Sequence, residues 1–324
     1  MALIGHWALD DDAASTTVTA TVGSNGTASR NTSNLYIGDG NGPGATLLNA
    51  GFDFDDTIGD YVENLGNIAN VSAATVCCWV KSSDATADTM IYFDDRDAGG
   101  SGLMLGRSFT QGTVWIFEPQ RADQTGTIHD GTWHFVSGTY NGTTLRLMVD
   151  LVEQDTASLS SASTDNNNQA TIGCRSFNRP AAEMSGFLAD VRIYDSALDD
   201  TALTAVRNAA KPTFSVAATI SGNNTQGAAK EVAFTVDDTT TITYQWYRAD
   251  DSGGTGEAAI SGATSSIYNS TASDLTKYLS CAVTSESNAG LTTTSQSAYD
   301  GPITASSGLP IPAAYYYNLQ MALS

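Results

Sequence analysis

Apolar and polar positions alternate in short runs along most of the chain, a pattern typical of β-strands separated by turns. Residues 74–80 and 133–140 form strongly apolar runs. The pair Asn141-Gly142 directly follows the second run and predicts a hairpin turn. The return strand is then predicted at residues 144–149, where every second side chain is apolar.

The first part of the chain ends with one more strand and a helix. Residues 186–194 predict the strand, and residues 196–209 predict the helix, because their apolar positions recur at helical spacing. Lys211-Pro212 marks a boundary. The pattern therefore predicts a single all-β sandwich domain over residues 1–210.

A second, smaller set of strands covers residues 211–304. Alternating apolar positions surround a central Trp246, and about 90 residues of this kind indicate an immunoglobulin-like sandwich. Residues 305–324 carry no charged side chain and are too few to form a domain. We expect them to form an extended apolar tail.

The net charge of the chain restricts the classes of partner that it can bind. Fourteen Lys and Arg face 35 Asp and Glu among 324 residues, a formal net charge of −21. This excludes nucleic acid as a partner, since phosphates must meet clustered Lys and Arg, and it disfavours anionic membrane surfaces. No apolar stretch approaches the ~20 residues of a membrane span, and the first residues lack the features of an export signal, so we expect assembly in the cytoplasm. The four cysteines lack disulfide or zinc spacing and are predicted to be buried free thiols.

Five motifs stand out in the first domain, at residues 5–10, 59–62, 78–81, 130–150 and 190–198. Through these motifs, residues 3–208 resemble the laminin G-like, concanavalin A-like jelly-roll family of bacterial and phage surface proteins. The resemblance implies a jelly-roll β-sandwich. Leu151 departs from the family, which usually turns on a Gly after Val-Asp, so a longer hairpin is expected there.

The second domain resembles bacterial and phage immunoglobulin-like modules, through its motifs at residues 244–247, 260–268 and 274–284. No Cys faces Cys281 on the preceding strand, where Ala233 and Phe234 stand. We expect the packing of Trp246 to hold this core without a disulfide, which suits a reducing compartment.

Catalytic chemistry is not expected. Glucanase relatives of the jelly roll use paired Glu residues, and no two of the seven Glu lie within ten residues of each other. The three histidines are scattered, without metal-ligand spacing and without a nucleophile motif nearby. The chain is therefore predicted not to be an enzyme.

A structural Ca²⁺ is implied by the jelly-roll resemblance, because many relatives hold one. By motif position the metal ligands would be Asp10, at the end of the first strand, and Asp190, in the last. The alternative is that both carboxylates cap turns or accept backbone hydrogen bonds.

Glycan binding would need exposed aromatic rings beside polar groups. Trp115 and Tyr92 are the candidate platforms, with Arg96 and Arg121 near them in the sequence. The alternative for each aromatic ring is packing in the core.

The tail is predicted to dock on a partner, since an exposed apolar strip would lower solubility. Its candidate docking residues are Leu309, Ile311, Tyr315, Tyr316, Tyr317, Leu319 and Met321. The alternative is that the tail packs back on its own domain.

Together these features resemble an accessory virion protein of a tailed phage, assembled in the host cytoplasm. We expect a non-enzymatic decoration or fibre protein whose jelly roll adheres to host glycans. It would be a homo-oligomer that contacts other virion proteins, or copies of itself, through the tail. The alternative is a secreted bacterial adhesin or carbohydrate-binding module at the cell surface. A glycan-cleaving enzyme is a third possibility, which lacks its carboxylate pair.

Overall fold

A computed structural model describes most of the chain. The described residues are 1–11, 16–29, 43, 48, 50–54, 60–66, 72–84, 90–94, 103–107, 113–117, 120–123, 128–158, 170–174, 184–237, 239 and 241–306. The chain divides into two compact units. The first is Met1–Thr213 with the short segments Asp237–Thr240 and Glu286–Thr292, and the second is the remainder.

The first unit is built almost entirely from strands. They are β1 (Leu3–Trp7), β2 (Thr17–Val18), β3 (Ala20–Val22), β4 (Gly26–Ser29), β5 (Phe52–Phe54), β6 (Tyr61–Glu63), β7 (Ala74–Lys81), β8 (Met90–Asp94), β9 (Leu103–Arg107), β10 (Thr113–Phe117), β11 (Gln120–Asp123), β12 (His134–Tyr140), β13 (Thr144–Val149), β14 (Val152–Ser158), β15 (Ala170–Thr171) and β16 (Gly186–Tyr194). The predicted strands at 74–80, 133–140, 144–149 and 186–194 are confirmed.

These strands form two main antiparallel sheets and a small one. The larger sheet has the order β14-β13-β12-β7-β16-β1-β3, with β5 paired to β16. The second sheet has the order β11-β10-β9-β8-β15, and a three-stranded sheet has the order β2-β4-β6. Strands β7 and β16, which are more than 100 residues apart in the sequence, lie side by side at the centre of the larger sheet, as a jelly-roll crossover requires.

Strand β7 lies at the centre of the larger sheet and is buried on both faces. Val76 and Val80 belong to the cluster between the sheets, which also includes residues of the second sheet. Trp79 belongs to a second cluster on the other face, where Leu203 and Val206 cover the sheet. Burial of each apolar side chain of this kind contributes about 1.5–3 kcal/mol to the free energy of folding. The larger sheet is therefore closed on both faces around β7.

Leu203 and Val206 belong to the helix α1 (Asp200–Asn208), which confirms the helix predicted over residues 196–209. The helix starts later than predicted because Asp199 caps it, with its side chain accepting a hydrogen bond from the Ala202 N–H at 2.8 Å.

Two hairpins join the outer strands of the larger sheet. Asn141-Gly142 makes the predicted turn between β12 and β13, with Gly142 at φ 98°. The expectation of a longer hairpin at Leu151 is wrong, because Val149 pairs directly with Val152. Asp150 and Leu151 form a two-residue turn with φ of 51° and 67°. Leu151 adopts this left-handed backbone conformation, and its side chain packs against the second cluster.

The second unit is a smaller sandwich. Its strands are β17 (Thr213–Ser221), β18 (Ala229–Asp237), β19 (Thr241–Ala249), β20 (Ala258–Ala259), β21 (Ile267–Asn269), β22 (Tyr278–Glu286) and β23 (Thr292–Gln296), with a 3₁₀ turn at Ala272–Asp274. One sheet has the order β17-β18-β21, and the other β20-β19-β22-β23. This arrangement confirms the immunoglobulin-like prediction.

Trp246 is the centre of the second core. It is fully buried, and its Nε1–H donates to the Ser265 carbonyl at 2.8 Å. Cys281 packs in the same cluster as a free thiol. Burial raises its pKa to about 11. Apolar packing around the indole thus holds this core where a disulfide would stand in an antibody domain.

Candidate functional site

Both faces of the larger sheet are covered around β7, so we examine the second sheet as a ligand surface. Tyr92 lies on β8, Trp115 on β10 and Arg121 on β11, all in that sheet. Arg96 lies outside the described residues. The fold therefore brings three of the four predicted ligand-binding residues onto one sheet.

Backbone register separates these three residues into two rows. Trp115 and Tyr92 both pair with Leu105, and Trp115 also pairs with Ala122. Leu105 and Ala122 are 0% exposed and belong to the core between the sheets. Arg121 pairs instead with Ile116, in the neighbouring row. Arg121 is therefore one position along β11 from the register row that contains Leu105 and Ala122.

Asp190 is the predicted metal ligand with the most developed surroundings. It lies in β16 at φ 55°, where the pairing with β7 is irregular, and its side chain is 0% exposed. Its Oδ1 accepts a hydrogen bond from Arg192 Nε at 2.8 Å and lies 2.7 Å from His6 Nε2. The other ring nitrogen of His6 contacts Thr21 Oγ1.

This arrangement makes Asp190 the counter-ion of Arg192, whose side chain is partly buried at 16% exposure. Burial opposes the charge of Arg192, but the neighbouring Asp190 outweighs that effect and raises the pKa of the guanidinium. Burial also raises the pKa of the Cys77 thiol, and the charge of Asp190 adds to it. Removal of the Asp190 carboxylate would leave the guanidinium of Arg192 without its counter-ion, which is the costly way to break such a pair.

Asp10, the other predicted metal ligand, is exposed at the end of the first strand. Among the residues that the structure describes, no group of three or more His, Cys, Asp or Glu side chains is arranged to hold a metal ion. The structural Ca²⁺ stays a prediction.

A second polar cluster surrounds His134 at the start of β12. Nδ1 lies 2.7 Å from Asp150 Oδ2, while Nε2 lies 3.2 Å from Asp130 Oδ1 and 3.2 Å from Thr132 Oγ1. Asp150 also accepts the Phe135 N–H at 3.0 Å. The two carboxylates lie on opposite edges of the imidazole, so they do not converge on one ion. They instead tie the loop before β12 to the β13–β14 turn.

The titration of this cluster follows from its hydrogen bonds. The bond with Asp150 raises the pKa of His134, and burial, which acts in the opposite direction, does not cancel it. The side-chain and backbone hydrogen bonds from Thr132 lower the pKa of Asp130 to about 2. Sequence spacing could not reveal the His134–Asp150 pair, because the hairpin must form before the two residues meet.

All the predicted docking residues, Leu309, Ile311, Tyr315, Tyr316, Tyr317, Leu319 and Met321, lie outside the described residues. Their role stays a prediction. Within the described part of the chain, the model has no helix with the length and apolar character needed to cross a membrane.

Comparison with protein families agrees with both folds. Residues 55–204 match the family model described as the concanavalin A-like lectin/glucanases superfamily. The fold of the first unit is that of a concanavalin A-like jelly roll. Residues 218–312 match the model described as the Ig domain of a plant-specific actin-binding protein. No curated protein sequence gives a significant match to the chain.

Solved structures similar to the chain include domains of two bacterial proteins. Domain 4 of the extracellular arabinanase AbnA from Geobacillus stearothermophilus, in complex with arabinotriose, is 17% identical, with a TM-score of 0.48 over 63% of this chain and 97% of that one. The binding domain of Paraclostridial Mosquitocidal Protein 1 is 12% identical, with a TM-score of 0.49 over 71% of this chain and 63% of that one.

Proposed function

We propose that the chain is a non-enzymatic, glycan-binding module whose jelly roll binds sugars on the sheet formed by β8–β11 and β15. The observation that supports this most is the placement of Tyr92, Trp115 and Arg121 on that sheet, while the centre of the larger sheet is covered on both faces. The match to a lectin/glucanase family model adds to it.

The register favours Arg121 as a direct contact. It stands in the row that alternates with the row of Leu105 and Ala122, both of which are buried. A guanidinium donates several hydrogen bonds in a fixed fork and so suits sugar hydroxyls. Trp115 and Tyr92 share the register row of Leu105, and we propose that they act as the aromatic platforms of the site.

The net charge of the chain restricts the class of glycan that it is expected to bind. With a formal net charge of −21, the protein repels polyanions, so neutral oligosaccharides are the expected class. A single site of this kind binds weakly, and several copies in one assembly would convert that into useful avidity.

A glycan array, followed by calorimetry on the best neutral oligosaccharide, tests this proposal. Arg121→Ala is expected to weaken binding about tenfold, equivalent to about 1.4 kcal/mol. Arg146→Ala is the matched control: it removes an arginine from β13 in the other sheet, where the side chain pairs with Glu153 at 2.6 Å. Binding that falls equally in both variants, or that is absent from the wild-type chain, contradicts the proposal. Shortening of the bound sugar during incubation would show an enzyme instead.

The setting of this module is proposed to be the surface of a tailed-phage virion, as a decoration or fibre protein. Residues 305–324, which lack charge, would dock on other virion proteins or on further copies of the chain. Four buried free thiols suit assembly in a reducing cytoplasm. Deletion of residues 305–324 should abolish incorporation into particles while sugar binding persists. Normal incorporation of the truncated chain would refute the docking role, and a secreted adhesin or carbohydrate-binding module would then be favoured.

A further inference from the structure

Lys230 on β18 is an unusual residue for an immunoglobulin-like sandwich, because its side chain is 0% exposed. Its Nζ donates to the Gly222 carbonyl at 2.8 Å and to Asp300 Oδ2 at 2.5 Å. It also contacts Oδ1 of the Asn224 carboxamide. A buried lysine needs partners of this kind, since an isolated ammonium is costly to remove from water.

The three side chains form a closed triangle. Asn224 Nδ2 donates to Asp300 Oδ1 at 3.1 Å, so one carboxylate is hydrogen-bonded to both the amine and the carboxamide. The electrophilic carbon of the carboxamide, Cγ, is one bond away from the oxygen that Nζ contacts. The arrangement therefore contains a nucleophile, an electrophile and a proton carrier in mutual contact.

Backbone contacts hold two corners of the triangle, Asn224 and Asp300, in place. The Asn224 carbonyl accepts the Thr304 N–H at 2.8 Å and the Thr304 hydroxyl at 2.7 Å. Asp300 and Leu279 exchange two backbone hydrogen bonds, both at 2.8 Å. These contacts join the loop after β17 to the segment after β23, and that segment to β22, which limits the rearrangement that a reaction would need.

We propose that Lys230 and Asn224 join in an intramolecular amide bond, with Asp300 as the proton carrier. Nζ, after giving a proton to the Asp300 carboxylate, attacks Cγ of Asn224 and forms a new C–N bond. The Cγ–Nδ2 bond then breaks. Two protons in all pass from Nζ through the carboxyl group to Nδ2, which departs as ammonium. Atoms and charge balance without an oxidant, a reductant or a co-reactant.

Each oxygen of Asp300 has a defined part in this step. Oδ2 contacts the nucleophile and Oδ1 contacts the leaving nitrogen, so the proton moves between atoms that are already hydrogen-bonded. Burial alone would raise the pKa of Asp300, but the hydrogen bonds from Lys230 and Asn224 outweigh it and keep the pKa below its ordinary value. The carboxylate is therefore ionised and able to accept the first proton near neutral pH.

The cross-link would fasten the loop between β17 and β18 to the core of a domain that has no disulfide. Because the bond closes a short loop, its effect on the entropy of the unfolded chain is small compared with that of a long-range disulfide. The main effect of the cross-link is chemical: one uncharged amide takes the place of the Asn224 carboxamide and the Lys230 ammonium.

Mass spectrometry of the purified, denatured full-length chain tests the proposal. Loss of ammonia makes the wild-type chain about 17 Da lighter than its sequence predicts. Tryptic digestion should fail to cleave after Lys230, and the mass loss should map to the peptide that contains Asn224 and Lys230. Asn224→Ala and Lys230→Met should have their full sequence masses. Asn223→Ala, which changes the exposed neighbouring asparagine, is the matched control and should retain the loss.

Each other outcome overturns a defined part of the proposal. A wild-type chain of full mass shows that the triangle is only a hydrogen-bonded ion pair. A loss of about 18 Da that persists in Asn224→Ala shows that Lys230 is instead joined to Asp300, with release of water. A loss that persists in Asp300→Ala removes the role of proton carrier from Asp300. These measurements read the wild-type mass directly, so they remain decisive if a variant fails to fold.

Discussion

The cluster around His134 gives a prediction about the pH dependence of stability in the jelly roll. The imidazole joins Asp150, in the β13–β14 turn, to the loop before β12. His134→Gln removes the cation, and Asp150→Asn removes the anion. The second change leaves an oxygen to accept the Phe135 N–H, and Asn tolerates the φ of 51° at this position.

The magnitude follows from exposure and geometry. Charge-assisted hydrogen bonds contribute about 1.5–3 kcal/mol, and exposed ion pairs about 0–1 kcal/mol. The His134 side chain is 15% exposed and that of Asp150 is 34% exposed. An intermediate value of about 1 kcal/mol is expected for their coupling.

The sign follows from the two pKa shifts. The pKa of His134 is raised above 6.5, so its contribution is complete below pH 6.5 and is lost as the pH rises through the folded-state pKa. Burial would raise the pKa of Asp150, but the hydrogen bond from His134 and that from the Phe135 N–H hold it below 3.8. Its contribution is therefore present above pH 3.8 and lost below that. The coupling is largest between pH 3.8 and 6.5.

A double-mutant cycle measures this coupling. Urea unfolding of the wild type, both single variants and the double variant would be followed by tryptophan fluorescence at about pH 5.5 and about pH 9. We expect a coupling of about 1 kcal/mol at the lower pH and close to zero at the higher pH. A coupling that is equal at both values, or larger at the higher one, would refute the assignment of the pair.

Three further predictions concern other parts of the fold. Asp190→Asn should destabilise the jelly roll by about 3 kcal/mol in urea unfolding, because it leaves the partly buried Arg192 without its counter-ion. Asp10→Asn should change the free energy of unfolding by less than about 0.5 kcal/mol, and equal effects of the two variants would contradict the ion-pair role. Thr276→Asn should raise the melting temperature, since Thr276 is exposed and β-branched at φ 66°, where Asn costs less; a lower value would show an unseen role for the hydroxyl. The four cysteines should resist a thiol reagent at about pH 8 until the chain unfolds, because all are buried and burial raises the pKa of Cys77, Cys78 and Cys281; rapid labelling of the native chain would contradict this.

The strands could be predicted where the local sequence pattern is enough to identify them. Residues 74–80 are buried on both faces, which gives a nearly continuous apolar run, and Asn141-Gly142 supplies the backbone freedom of a hairpin. Leu151 shows the limit of this reasoning. Its turn has the backbone shape that usually calls for Gly, and packing of the leucine side chain on the core offsets the cost.

The sites were harder to predict because their residues meet only after folding. Motif position identified Asp190 as important, but its chemistry depends on His6, which is 184 residues away. Lys230 looks like an ordinary surface lysine of an alternating strand, and its partner Asp300 is 70 residues away. A composition rich in Asp and Asn gives no sign of which few of these side chains are buried beside a lysine.

Hydrogen exchange on the chain with and without its best neutral oligosaccharide tests the central claim most directly. The account predicts that the sugar slows exchange in peptides that cover β8, β9, β10 and β11, since these strands carry Tyr92, Trp115 and Arg121. Protection confined to the immunoglobulin-like unit, or to β12–β14 of the larger sheet, would contradict it.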